Sequence, residues 1–110
     1  APRAGWGAAA AAHGVAVVIP PGERVAEIER RLRAVFAPTL LRVADDSRHH
    51  AGHAGARDGR GHFDVVIEAQ AFAGQGLLAR HRMVYAALGE LMQSDIHALA
   101  IQARAPGEGR

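Results

Sequence analysis

The sequence contains no cysteine, no lysine and no asparagine. Without cysteine there is no disulfide scaffold and no thiolate nucleophile. Soft-metal chemistry must then run through imidazoles or through thiols that a partner brings. The redox compartment stays open and is compatible with cytosol. Without lysine, all thirteen cationic side chains are Arg, and the formal net charge is only +2. That excess is too small to form a nucleic-acid footprint by itself. No apolar run approaches the roughly 20 residues that a membrane span needs. The missing residue types, set beside abundant Ala, Arg and Gly, match the compositional bias of a GC-rich genome.

What is present suits one globular domain. The chain has 110 residues, of which 49% are hydrophobic, and a domain of this size buries about 60–70% of its unfolded surface. Residues 1–22 stand apart as an Ala-rich stretch with Ala8–Ala12, an apolar patch Val15–Ile19 and the break Pro20-Pro21-Gly22. They are expected to be a flexible tail or weak extra helix, with a targeting remnant as the alternative. The first residue is Ala rather than Met, which fits trimming. The domain proper is expected over 23–105, with a short frayed tail over 106–110.

Inside those bounds the apolar period changes along the chain. Val25, Ile28, Leu32, Val35 and Phe36 recur every three to four residues, which predicts a helix that Pro38 stops. Leu40–Ala44 reads as a strand ended by Asp45-Asp46-Ser47. A long Gly-rich loop over 46–61 follows, and loops of that length tend to be functional or disordered. Phe63, Val65 and Ile67 then alternate with Asp64, Val66 and Glu68, the period of a half-buried strand. After Ala73-Gly74-Gln75-Gly76 a helix is expected from about Leu77 to Met92, with Leu77, Val84, Leu88 and Leu91 on one stripe. His97–Arg104 is the third strand. The expected fold class is α+β, in a small two-layer arrangement with Phe63, Val65 and Ile67 facing both helices.

The candidate chemistry is concentrated in histidines. His49, His50 and His53 lie within five residues of one another, His97 opens the third strand, and His62 precedes the second. Three closely spaced loop imidazoles could hold zinc or nickel with water completing the shell, or could be solvated loop residues. His97 reads either as a ligand fixed at a strand end or as a surface histidine. His81 lies one turn before Val84 and Tyr85 and is expected to be half-buried and hydrogen-bonded. Its neighbours Arg80 and Arg82 point roughly 200° apart on a helix and so do not form one cationic patch.

Several short runs resemble one family when taken together. They are Asp45-Asp46-Ser47, His50-Ala51-Gly52-His53, His62-Phe63, Phe72-x-Gly74, Arg80-His81-Arg82-Met83-Val84-Tyr85 and Ile96-His97-Ala98-Leu99-Ala100. In this order and spacing, from about Val25 to Ala103, they resemble the BolA family. The resemblance implies an α-β-β-α-β domain similar to the class II KH arrangement, with a three-stranded mixed sheet and helices on one face. It implies pairing with a monothiol glutaredoxin to hold a bridging [2Fe–2S] cluster, shared with that partner and glutathione. The chain alone would carry no cofactor, as a monomer or weak homodimer. It also implies roles in iron–sulfur trafficking or iron sensing, in the cytoplasm, or in a mitochondrion or plastid if the first residues are a targeting remnant.

Carried over residue by residue, the resemblance makes His97 one cluster ligand and a loop histidine the other. His50 matches that second position best, with His53 a close rival and His49 a weaker one. His62 is a residue that could support them. Histidine in place of cysteine raises cluster potential in Rieske-type centres and makes ligation sensitive to protonation. The expected cluster is therefore labile and lost as pH falls.

The resemblance also brings an alternative, since some bacterial members are described as DNA-binding regulators of stress response and cell shape. Arg80, Arg82 and Arg104 are the candidate nucleic-acid or partner contacts. Gly74-x-Gly76 is too short for the Gly-x-x-Gly clamp of KH domains. An enzyme is not expected. Ser47 and Ser94 lack an elbow motif, and Gly74-Gln75-Gly76 has no phosphate-loop lysine. Asp45 and Asp46 are adjacent on a strand end and face opposite sides.

Overall fold

The computed structural model describes residues 19–47 and 59–108. A 3-10 turn, Pro21–Glu23, leads into helix α1, Arg24–Phe36. Ile28, Leu32 and Phe36 of α1 are buried, as the helical spacing predicts. Val35 is the exception, at 58% exposure. Consecutive helical residues are about 100° apart, so Val35 and Phe36 cannot both face the core, and Phe36 takes that position. The helix ends in a left-handed residue, Ala37 (φ 45°), whose N–H donates to Arg33 O, and Pro38 follows.

Strand β1, Leu40–Asp45, runs antiparallel to β2, Gly61–Glu68. Strand β3, Ile96–Arg104, lies parallel to β2 on its other side, giving the order β1-β2-β3. This is the three-stranded mixed sheet expected. Phe63, Val65 and Ile67 are 1%, 1% and 0% exposed, and they form the floor of the core beneath α1 and the second helix. The opposite sheet face carries exposed Arg42, Asp64, Ala98, Ala100 and Gln102. The helices therefore cover one face of the sheet, as the strand alternation requires.

Between β2 and β3 the chain departs from the expected single helix. A 3-10 turn, Gln70–Phe72, sends Phe72 into the core, where its ring centroid lies 4.9 Å from that of Phe36. Helix α2 then spans Leu77–Leu88 and stops at Gly89, and a one-turn helix α3 covers Leu91–Ser94. Gly89 adopts φ 56°, ψ −130°, which a side chain would strongly disfavour, so the helix cannot run through it. Arg31 holds the break from α1, donating to Leu88 O at 3.0 Å. Val84, Leu88 and Leu91 are buried as expected, but Leu77 is 71% exposed. Leu78 beside it is 61% exposed, so the first turn of α2 stands away from the core.

Both termini of the domain are more engaged than expected. Ile19 packs against the core. At the other end Glu108 binds Arg80 and accepts the Ala105 N–H at 3.0 Å, so the residues after β3 are tied back to α2.

Candidate metal-ligand site

The candidate site forms where β1 ends and β2 and β3 begin. Asp46 N donates to His62 O at 2.7 Å, and His62 N donates to Ser47 Oγ at 3.1 Å. Ser47 N in turn donates to Asp45 Oδ1 at 2.8 Å. These short links close the end of the β1–β2 ladder. The histidine loop therefore leaves after Ser47 and returns at Gly59 beside one sheet end. His49, His50 and His53 themselves lie outside the described residues.

His97 owes its position to an irregularity in the parallel pairing. Gly61 pairs with Ile96 and His62 with Ala98, which leaves His97 as the extra residue of a bulge. A bulge breaks the alternation of side chains and re-aims one of them. Ile96 is 1% exposed and inside the core, whereas its neighbour His97 is exposed. The turn before the bulge is fixed from inside: Gly61 N donates to Asp95 O at 2.9 Å, and the buried Asp95 carboxylate is held by Arg24.

Among the described residues, His62 and Arg60 contact the His97 imidazole. The His62 ring lies with its centroid 5.1 Å from that of His97, tilted by 46°. Arg60 Nη2 is 3.2 Å from His97 Nδ1, and Arg60 Nη1 reaches Gln93 O at 3.4 Å. Sequence reasoning gave His62 a supporting role and did not reach Arg60, which carries no periodic or motif signal. Next to this pair, a shallow cleft of about 290 Å³ on the open sheet face is lined by Asp46, His62, Asp64, Ala98 and Ala100.

The donor chemistry fits a shared site. Imidazoles are competent ligands for zinc and for iron–sulfur clusters. Among the described residues, no three His, Cys, Asp or Glu side chains gather into a site that could hold a metal alone. A metal held at His97 would need donors beyond those that the described residues bring together.

The other residues singled out in the sequence lie elsewhere. His81 is half-buried on α2, edge-on to Tyr85 with centroids 6.4 Å apart. Its burial matches expectation, but its buried Nε2 has no hydrogen-bond partner among the described residues. Arg80 donates to Gln75 O at 2.7 Å, to Ala103 O at 3.0 Å and to Glu108 at 2.9 Å, so it stitches α2 to β3 and the C-terminal turn. Arg104 donates to the buried Glu68 at 3.4 Å. Arg82 is exposed. The three arginines do not act as one patch, since two of them are engaged in holding the fold.

Comparison with known proteins agrees with this architecture. Residues 32–108 match the family model described as BolA-like protein. The chain is 43% identical over 74 residues to the DNA-binding transcriptional regulator BolA of Escherichia coli, covering 67% of this chain and 68% of that protein. It is 40% identical over 96 residues to SufE-like protein 1, chloroplastic/mitochondrial, of Arabidopsis thaliana, covering 83% of this chain. The match spans only 26% of that longer relative. The solved BolA domain of SufE1 from Arabidopsis thaliana superposes with a TM-score of 0.70 at 38% identity, covering 78% of this chain and 95% of that one. With the family model spanning most of the chain and the fold reproduced in a solved relative, the protein belongs to the BolA family.

Proposed function

We propose that this chain is an adaptor that pairs with a monothiol glutaredoxin and supplies histidine ligation to a bridging [2Fe–2S] cluster. The observation that carries the reading is the placement of His97. A bulge presents it at the sheet end where the histidine loop leaves and returns. His97 and one loop histidine, His50 ahead of His53, would hold the cluster from this side. The chain has no cysteine, so the thiolates come from the glutaredoxin and from glutathione. The cluster is what the pair transfers or senses, in iron–sulfur trafficking or iron and redox regulation. A reducing compartment, cytoplasm or organelle, suits that chemistry.

The alternative, a DNA-binding regulator, draws on the name of the Escherichia coli relative. Arg80 and Arg104 are already engaged with Glu108 and Glu68, so of the three candidate arginines Arg82 is the one left exposed for direct DNA contact, beside other exposed arginines such as Arg33 and Arg42. Direct binding predicts affinity that falls steeply with salt, and a flat response rejects it.

Co-reconstitution tests the adaptor reading. The chain alone should stay colourless. With a monothiol glutaredoxin, iron, sulfide and glutathione it should form a coloured heterodimer whose spectrum differs from that of the glutaredoxin homodimer. His97→Ala should abolish the difference while the fold persists, and an unchanged spectrum excludes His97 as a ligand. His50→Ala and His53→Ala, made separately, identify the second ligand.

A further inference from the structure

Arg60 stands where the histidine loop rejoins the sheet, and its guanidinium bridges two acceptors, Gln93 O and His97 Nδ1. A guanidinium has five N–H donors, no acceptor and no proton to lose at ordinary pH. The contact with His97 therefore has a single polarity. Nδ1 accepts, so it carries the lone pair, and the proton of the neutral ring is on Nε2.

This polarity bears directly on metal binding. Neutral imidazole has one lone pair, and a metal needs it. Ligation through Nδ1 displaces Arg60 outright. Ligation through Nε2 requires the ring proton to move to Nδ1, where it meets the guanidinium donor to donor. Either route breaks the Arg60 hydrogen bond, so Arg60 and a metal compete for the same ring. The guanidinium adds a fixed positive charge 3.2 Å from the ring nitrogen, which opposes a bare divalent cation. A cluster that arrives with thiolate ligands has its core charge largely cancelled and meets much less of this opposition.

We infer that Arg60 is a positioning and selectivity residue for His97. It holds the imidazole as the Nε2–H tautomer and reserves it, in the unpartnered chain, against bare divalent metal ions. The inference rests on the reading of His97 as a cluster ligand, but its tests need neither cluster nor partner.

The first test is the tautomer, read from imidazole ¹⁵N shifts of the labelled chain alone. His97 Nδ1 should be pyridine-like and Nε2 pyrrole-like, and Arg60→Met should admit the Nδ1–H form. The second is a Zn²⁺ titration followed at the His97 ring resonances, with His97→Ala as the control for zinc taken up by loop histidines. Arg60→Met should bind zinc at His97 about tenfold more tightly than the native chain, the scale of one lost hydrogen bond. A native His97 protonated on Nδ1, or a zinc affinity unchanged by Arg60→Met, overturns the inference. Failure of the glutaredoxin reconstitution leaves both readouts as they are, so the two readings fall separately.

Discussion

Arg24 Nε donates to Asp95 Oδ2 at 3.0 Å, joining residues 71 apart in sequence through an ion pair inside the protein. Their side chains are only 9% and 2% exposed. Asp95 also accepts from Ser94 Oγ, and its carbonyl accepts the Gly61 N–H. The pair thus ties the start of α1 to the turn that launches β3 and its bulge. Such a pair is weak evidence for net stability, but breaking one side leaves an uncompensated buried charge. Arg24→Met should cost about 3–5 kcal/mol in urea unfolding. Arg24→Met combined with Asp95→Leu should cost less than the sum of the single changes, because the second substitution removes the stranded carboxylate. Additive losses would show that the two groups do not act as a pair.

Gly61 is a second point where the site depends on packing. A Cβ built there lies 2.8 Å from the Phe63 ring and 2.9 Å from Ser47 Oγ. Phe63 is 1% exposed and cannot swing away, and Ser47 Oγ is the acceptor for His62 N. Gly61→Ala should destabilise by about 1–3 kcal/mol, the usual cost of overpacking. It should also shift the His62 and His97 amide resonances, since both lie beside the disturbed ladder. A stable variant with unmoved resonances at those two positions contradicts the close packing.

How much of this was legible in the sequence differs from residue to residue. Phe63, Val65 and Ile67 announced their strand because a two-residue period maps directly onto one sheet face. His97 was legible as a candidate through the family run Ile96–Ala100, yet the reason for its exposure was not. The bulge arises from how Gly61–His62 pairs with Ile96–Ala98, a register that no local pattern encodes. Gly89 was hidden for a similar reason: Leu88 and Leu91 keep helical spacing across it, and only its backbone angles show the break. Arg80 stood out in the family run, but its bonds to Ala103 O and Glu108 join segments far apart in sequence. Arg60 had no signal, because its role depends on which strand end it meets.

Ala37 offers a test of the fold away from the site. It ends α1 in the left-handed region, at φ 45°, and donates its N–H to Arg33 O at 3.1 Å. A Cβ is disfavoured there by about 1–2 kcal/mol, and glycine escapes the penalty. Ala37→Gly should therefore stabilise the domain by about 1 kcal/mol, less the extra freedom glycine has when unfolded. Thermal unfolding should show a midpoint raised by a few degrees. A lowered midpoint would mean that Ala37 does not hold this conformation in solution.

The contact between Glu108 and Arg80 makes a prediction in pH. Hydrogen bonds from the Arg80 guanidinium and then from the Ala105 N–H hold the Glu108 carboxyl at about 2, down from an ordinary value of 4.5. The folded chain thus binds this proton less readily than the unfolded chain does. The stabilisation is fully present above the unfolded value, shrinks as pH falls from about 4.5, and is gone once pH passes below about 2. The Glu108 side chain is open to solvent, so the effect is modest and screened by salt. Glu108→Gln should lower the thermal midpoint at neutral pH and converge with the native chain across that acid window. A direct NMR titration of the Glu108 carboxyl should give a midpoint near 2 in the native chain and a higher one in Arg80→Met. A native midpoint at the ordinary glutamate value would show that the C-terminal turn is not latched to α2.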